Sequence, residues 1–238
     1  MTDGATELQR HLAAWFTAWT SLRSYPASAG PGYLAALRLD RKGGWEYFVA
    51  APDPASFATV AAEVIRSPRR ALCIIGSDVH GYVKQAHRAG LGMISNSEKL
   101  MILAMETQDN QDPFLGDPEL SLVVKKIGGK HSDTACQARF SAAILRGQTI
   151  LATGKVGIFG DYAVFDQLET HALHRRRGYG MLLIRTLAAR AQEYPVTTGL
   201  ILASTDGQRL YYKLGWRSLG SVTVLVPKAR LLEMAASA

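Results

Sequence analysis

The sequence predicts a mixed α/β (α+β) fold, a β-sheet flanked by helices. Three observations carry this reading. Short apolar runs such as Ala71 to Gly76, Tyr162 to Thr170 and Leu200 to Ala203 have the length and side-chain types of strands. Between such runs lie stretches with apolar residues at helical spacing, as in Met181, Leu182, Ile184, Leu187, Ala188 and Ala191. Hydrophobic residues make up 47% of a 238-residue chain, enough for a sizeable core in one large domain or two small ones.

Taken in order, residues 6–23 place Leu8, Leu12, Trp15, Phe16, Trp19 and Leu22 at helical spacing. The helix packs on a core, or its tryptophans form a ligand wall. Asp3, Glu7, Arg10 and His11 among the apolar residues make it an amphipathic helix, not a signal peptide. Ser24 to Gly32, with two prolines and two glycines, reads as a loop. Tyr33 to Leu39 and Trp45 to Ala51 read as strands joined by a turn at Arg41 to Gly44. Pro54 opens a helix that runs from near Ala55 to about Arg66. After the strand Ala71 to Gly76, Asp78 starts a helix over Gly81 to Arg88 that stops at Gly90. Two short strands follow, near Leu91 to Ile94 and Leu100 to Met105.

Gln108 to Asp117 is polar, with one proline and a glycine and a second proline just after it, and is the best linker candidate. Leu120 to Val124 reads as a strand or a helix start, and Lys125 to Thr134 as a basic, exposed stretch. Ala138 to Leu145 and Thr149 to Ile158 form a hairpin around Arg146-Gly147-Gln148. Gly160-Asp161 turns the chain into the strand Tyr162 to Thr170. Beyond the helix that follows, Leu200 to Ala203 is a strand, Ser204-Thr205-Asp206 a helix start, and Gln208 to Leu214 a helix ended by Gly215. Ser221 to Val226 is the last strand.

No run of eighteen apolar residues occurs, so no transmembrane helix is expected. Cys73 and Cys136 form no metal-binding pattern, and a reducing cytoplasm is the expected compartment. Lys plus Arg exceeds Asp plus Glu by 27 to 20, a net charge of +7. That excess keeps a surface soluble or serves an acidic ligand. A nucleic-acid partner is disfavoured, because no basic run with interleaved aromatics appears.

The stretch with chemical content is Arg175-Arg176-Arg177-Gly178-Tyr179-Gly180, a strand-to-helix turn. Its glycines allow a tight turn and close approach of a ligand to the main chain. The first amides of the helix have no partner inside it, so with the helix dipole and the arginines they suit a pyrophosphate. A P-loop would need Lys and then Ser or Thr where Met181 and Leu182 stand. The dinucleotide fingerprint would need glycine in place of Arg175 and an N-terminal position. The stretch instead resembles the Arg/Gln-x-x-Gly-x-Gly/Ala signature of the GNAT acyltransferases, the Gcn5-related family. Tyr211-Tyr212-Lys213-Leu214-Gly215-Trp216 resembles that family's Tyr-x-Lys-Leu-Gly-Phe segment. The resemblance covers roughly residues 116–225.

It implies a GNAT fold, a mixed splayed sheet flanked by helices, with residues 113–238 as the acyl-coenzyme A-binding catalytic domain. Residues 1–112 would form an N-terminal helical and strand region. There Ser77-Asp78 and Gly90 answer Ser204, Asp206 and Gly215, which suggests a degenerate GNAT-like half without a cofactor turn. The resemblance implies that Arg175, Arg176, Arg177, Gly178, Tyr179 and Gly180 cradle the pyrophosphate of acetyl-coenzyme A. Backbone groups of Leu168, Glu169 and Thr170 would pair with its pantetheine arm, and Ser204 would stand where an asparagine usually contacts that arm. Tyr211 would be the acid that protonates the departing thiolate.

Asp166 and Glu169 are the candidate general bases, each with a solvated or ion-paired alternative, and His171 and His174 stand behind them. No metal is needed. The implied reaction is direct acyl transfer, most simply of acetyl, from acyl-coenzyme A to a primary amine on a small molecule. Alternatives are a macromolecular acceptor (a protein amine or aminoacyl-tRNA) or a non-catalytic acyl-coenzyme A sensor. Neither the oligomeric state nor the acyl chain length is legible in the sequence.

Overall fold

The computed structural model describes residues 2–41, 43–108, 116–128 and 135–236. Helix α1 (Thr2–Arg23) buries Leu12, Trp15, Phe16, Trp19 and Leu22, as their spacing requires. Trp15 stacks on Trp19 with ring centroids 5.0 Å apart, and both meet Phe48. The tryptophans are therefore core side chains. The chain continues through β1 (Ala27–Gly30), β2 (Tyr33–Arg38), β3 (Gly44–Ala50), α2 (Pro54–Val64), β4 (Ala71–Gly76), α3 (Val79–Arg88) and β5 (Leu91–Ala104). It then forms β6 (Leu120–Lys126), β7 (Ala138–Arg146), β8 (Thr149–Phe159), β9 (Tyr162–Thr170), α4 (Tyr179–Ala191), β10 (Thr198–Ala203), α5 (Thr205–Lys213), β11 (Arg217–Pro227) and α6 (Lys228–Ala236). Among the described residues no helix is long and apolar enough to cross a membrane.

Most elements fall where the sequence puts them, and the differences have local causes. The expected loop at Ser24 to Gly32 contains β1. Its Ala, Ser and Gly side chains stay largely exposed, so no hydrophobic period marked it, and backbone pairing with β2 alone makes it a strand. The two short strands expected after Gly90 are one long strand, β5. Its polar middle, Ser95 to Glu98, stays extended because β11 pairs with it through bulged register. Leu120 to Val124 resolves as strand, and α6 carries no buried residue whose period could have announced it. Residue 42 of the expected turn, 109–115 of the polar segment and 129–134 of the basic stretch lie outside the described residues. So does the 112/113 domain boundary.

All strands among the described residues join one 11-stranded sheet in the order β1-β2-β3-β4-β11-β5-β10-β9-β8-β7-β6. The path β3-α2-β4-α3-β5 repeats as β9-α4-β10-α5-β11, with β3 parallel to β4 and β9 parallel to β10. Helices α3 and α5 are capped by Asp78 and Ser204, and Gly90 and Gly215 take positive φ just past their ends. The last strands of the two repeats are exchanged. β11 lies between β4 and β5, and β5 lies between β11 and β10.

Alternate strand residues face opposite sides of the sheet. One face carries α1, packed across both repeats on Phe48, Cys73, Ile75, Val222, Leu100, Leu200 and Val164. The other carries α2 and α3 over Val49, Leu72 and Ile74, and α4 over Phe165, Ile144 and Val156.

Candidate functional site

Strand β9 pairs with β10 only from Tyr162 to Phe165, against Thr198 to Ile201. It continues to Thr170 with pairing on its β8 side alone, while Leu202 and Ala203 of β10 pair with β5. Beyond Phe165 the two strands therefore separate, and the Asp166–Thr170 edge facing β10 has no ladder partner there. A bulge sets the divergence: the register with β8 steps between Lys155↔Asp166 and Thr153↔Glu169, and Gln167 takes φ +53°. Aromatic packing wedges the point of separation. Trp216 meets Phe165 edge-on at 5.5 Å and Tyr211 at 5.9 Å, and is itself buried.

The start of α4 closes the mouth of this opening. Gly178 is its N-cap in the left-handed conformation, φ +84°, which costs glycine nothing. Arg176 holds φ +64° without that freedom. Among the described residues no side chain caps α4, and no acidic residue stands in its first turn. Helices α2, α3 and α5, by contrast, are capped by Asp53, Asp78 and Ser204. The first amides of α4 are thus left for an external acceptor. A Cβ on Gly180 would meet Leu210 at 3.0 Å, so α4 and α5 approach each other closely.

Arg175, Arg176 and Arg177 are exposed. Arg175 reaches back with Nε donating to the Thr170 carbonyl at 3.4 Å, and its guanidinium lies 4.0 Å from Asp206. The cation therefore stands across the mouth, between the end of β9 and the start of α5.

Tyr211 is buried at the inner end, and burial pushes its phenol up to about 12, with the Asp166 charge adding to the shift. It keeps its proton throughout the neutral range. Tyr212 lies on the exposed side, where its hydroxyl accepts from Lys99 Nζ at 3.1 Å. Ser204 Oγ accepts from the Gly207 amide at 3.3 Å, so this side chain caps α5 and still has its hydroxyl proton to donate.

The two candidate bases separate clearly. Asp166 accepts from Arg23 Nε at 2.6 Å and from Arg23 Nη2 at 2.8 Å, a two-pronged pair that binds the end of α1 to β9. With both oxygens engaged it takes the ion-paired alternative of the sequence reading. Glu169 is exposed on the same face and has no ion-pair partner among the described residues. His171 is exposed, and His174, 5.5 Å from it between ring centroids, has a buried Nδ1 without a hydrogen-bond partner among the described residues. Sequence reasoning missed Arg23: nothing local marks an arginine at a helix end as the partner of a residue 143 positions away.

The equivalent place in the first repeat is built differently. β3 pairs with β4 to its last residue, Ala50, so no opening forms. The Asp53 carboxylate accepts from the Ser56 and Ala55 amides at 2.8 and 2.9 Å, filling the α2 N-terminus. Those bonds hold Asp53 below the usual carboxylate range, and an incoming phosphate would meet a negative charge.

No protein-family model matches the chain, and no curated protein matches it by sequence. Solved structures do. A GCN5-related N-acetyltransferase from Kribbella flavida aligns with a TM-score of 0.64 at 14% identity, over 92% of this chain and 94% of that one. A tandem GNAT protein from the clavulanic acid biosynthesis pathway aligns at 0.58 and 13% identity, over 81% and 77%. A GCN5-related N-acetyltransferase from Sphaerobacter thermophilus aligns at 0.53 and 9% identity, over 82% and 76%. The fold is that of the Gcn5-related N-acetyltransferases.

Proposed function

We propose that this chain, whose fold is that of the Gcn5-related N-acetyltransferases, moves an acetyl group from acetyl-coenzyme A to the primary amine of a small molecule in the cytoplasm. One observation carries the reading: the uncapped start of α4 and the unpaired edge of β9 bound the same opening. The first supplies amides and positive charge for a pyrophosphate; the second supplies free backbone groups for an amide-bearing arm. The first repeat offers neither.

Acetyl-coenzyme A would supply the activated thioester. The amides of Gly178, Tyr179 and Gly180, with Arg175 across the mouth, would hold its pyrophosphate. Arg176 and Arg177 would add positive charge from the surface. Backbone groups of Leu168, Glu169 and Thr170 would align the arm and leave an N–H to polarise the acyl carbonyl. Ser204 would offer its hydroxyl proton to the arm. In the transfer the amine lone pair forms the new C–N bond and the C–S bond breaks. Glu169, directly or through water, takes the amine proton, and Tyr211 donates its own to the departing sulfur. Asp166 holds Arg23 and shapes the strand.

The test is calorimetric titration with acetyl-coenzyme A of the wild type and of Arg175→Ala/Gly178→Glu. The double variant removes the cation, forces a side chain into a left-handed position and puts a carboxylate among the amides. Micromolar binding by the wild type, weakened at least tenfold in the variant, supports the reading. No binding by the wild type overturns it.

A further inference from the structure

The face of the sheet opposite α4 is covered by α1 across β3, β10 and the near ends of β7, β8 and β9, where Arg139 donates to Ser21, but not over the far ends of those three strands. A groove of about 530 Å³ lies there, lined among others by Val123, Lys125, Leu145, Ile150, Lys155 and Glu169. Strand register arranges these side chains in three rows. Lys125, Ser141 and Lys155 stand side by side across β6, β7 and β8, and the row ends at Asp166 on β9. The next row is Val123, Ala143, Thr153 and Glu169, and the third contains Leu145 and Ile150. The groove is thus cationic on one side, apolar on the other, with Glu169 in between. Asp166, beside Lys155, gives both oxygens to Arg23. Among the described residues Lys125, Lys155 and Glu169 have no ion-pair partner.

We infer that this groove is the acceptor subsite and that it takes an apolar α-amino acid. The inference rests on the acyltransferase reading above. Such a ligand carries its amine, carboxylate and apolar side chain on one carbon. Glu169 sits on the strand whose free edge would hold the cofactor arm, so an amine beside it is next to the thioester. Lys155 is the diagonal neighbour of Glu169 across one strand, roughly 7–8 Å away between Cα atoms, a gap that two flexible side chains close around an adjoining amine and carboxylate. Lys125 adds the second positive charge. The apolar side chain points the other way, onto Leu145, Ile150 and Val123. Two lysines and one glutamate leave a net positive groove, which suits a ligand that becomes an anion once its amine is acylated.

The test compares L-leucine, L-leucinamide and isoamylamine as acceptors, by thiol release from acetyl-coenzyme A, and titrates N-acetyl-L-leucine directly. Expected are a kcat/KM at least tenfold higher for leucine than for leucinamide or isoamylamine, and saturable binding of N-acetyl-L-leucine. Lys125→Gln/Lys155→Gln should erase both while leaving acetyl-coenzyme A binding unchanged, and Lys155→Arg in the Lys125 wild-type background should retain them. Equal or better use of the neutral acceptors, or a leucine preference that survives the double substitution, overturns the inference while acetyl-coenzyme A binding keeps the parent reading intact. Absence of acetyl-coenzyme A binding overturns both.

Discussion

At the scale of single residues, Tyr211 has the most to answer for. Its ring is enclosed by Trp216 and the α5 backbone near Gly207, and burial holds its phenol at about 12. A weak acid that stays protonated is a proton donor to a leaving thiolate, so Tyr211→Phe is expected to lower kcat by roughly 10²-fold or more with acetyl-coenzyme A affinity unchanged. The same shift has a consequence for stability whose sign is fixed. An unfolded tyrosine ionises near pH ~10, while the folded one keeps its proton to about 12. Below pH ~10 both states are protonated and the difference adds no pH dependence. Between the two values the unfolded chain binds fewer protons, so stability falls as pH rises. Wild type should therefore lose stability relative to Tyr211→Phe across that window and run parallel to it below. Urea midpoints of the two proteins at pH 8, 10 and 11.5 measure this, and parallel curves throughout would show that the phenol is not shielded.

At the scale of elements, the tie between α1 and β9 decides how the site is held. The Arg23 guanidinium and the Asp166 carboxylate are mostly buried, with side-chain exposures of 22% and 13%. Asp166 raises Arg23 above its already high value chiefly by hydrogen bonding. Removing one partner leaves the other short of water, so Arg23→Met and Asp166→Asn should each destabilise by roughly 2–4 kcal/mol, and the double variant by clearly less than their sum. A urea double-mutant cycle reads the coupling, and additivity would mean the pair holds nothing. Because α1 ends at this pair beside the groove proposed as the acceptor subsite, each single variant should also raise KM for the amine more than it lowers acetyl-coenzyme A affinity.

The contrast between what was legible and what was not follows from range. Tyr162 to Thr170 running into Gly178 and α4 is local: strand composition, a turn glycine and helical spacing all lie within thirty residues, and the structure places these elements where the sequence does. Asp78, Ser204, Gly90 and Gly215 were equally readable, because caps and stops act on adjacent backbone. The opening of β9 from β10 was expected from family resemblance rather than from any residue pattern, and the bulge at Gln167 carries no glycine to announce it. Arg23 with Asp166, and the groove rows built across four strands, need register between distant segments, which no local period encodes.

At the scale of the molecule, the exchange of β5 and β11 makes the two repeats interdependent. Without β11, β4 would keep only β3 and expose its other edge, and β5 would lose the partner it follows from Leu91 to Ile102; without β5, β10 would expose an edge. Helix α1 adds a second bond between the halves, since one apolar face of it rests on β3 and β4 as well as on β9 and β10. The first repeat, whose β3 and β4 stay paired, is thereby tied to the repeat whose β9 and β10 separate. The expectation is a single cooperative unit. In native-state hydrogen exchange under increasing urea, the slowest amides of β4 and of β10 should converge on one opening free energy with one urea slope. Residues 1–108 expressed alone should stay unfolded, because β4 and β5 have no strand to lie between them. Two isotherms with different slopes, one for each repeat, would instead mean that the halves fold separately and that the exchanged strands merely dock.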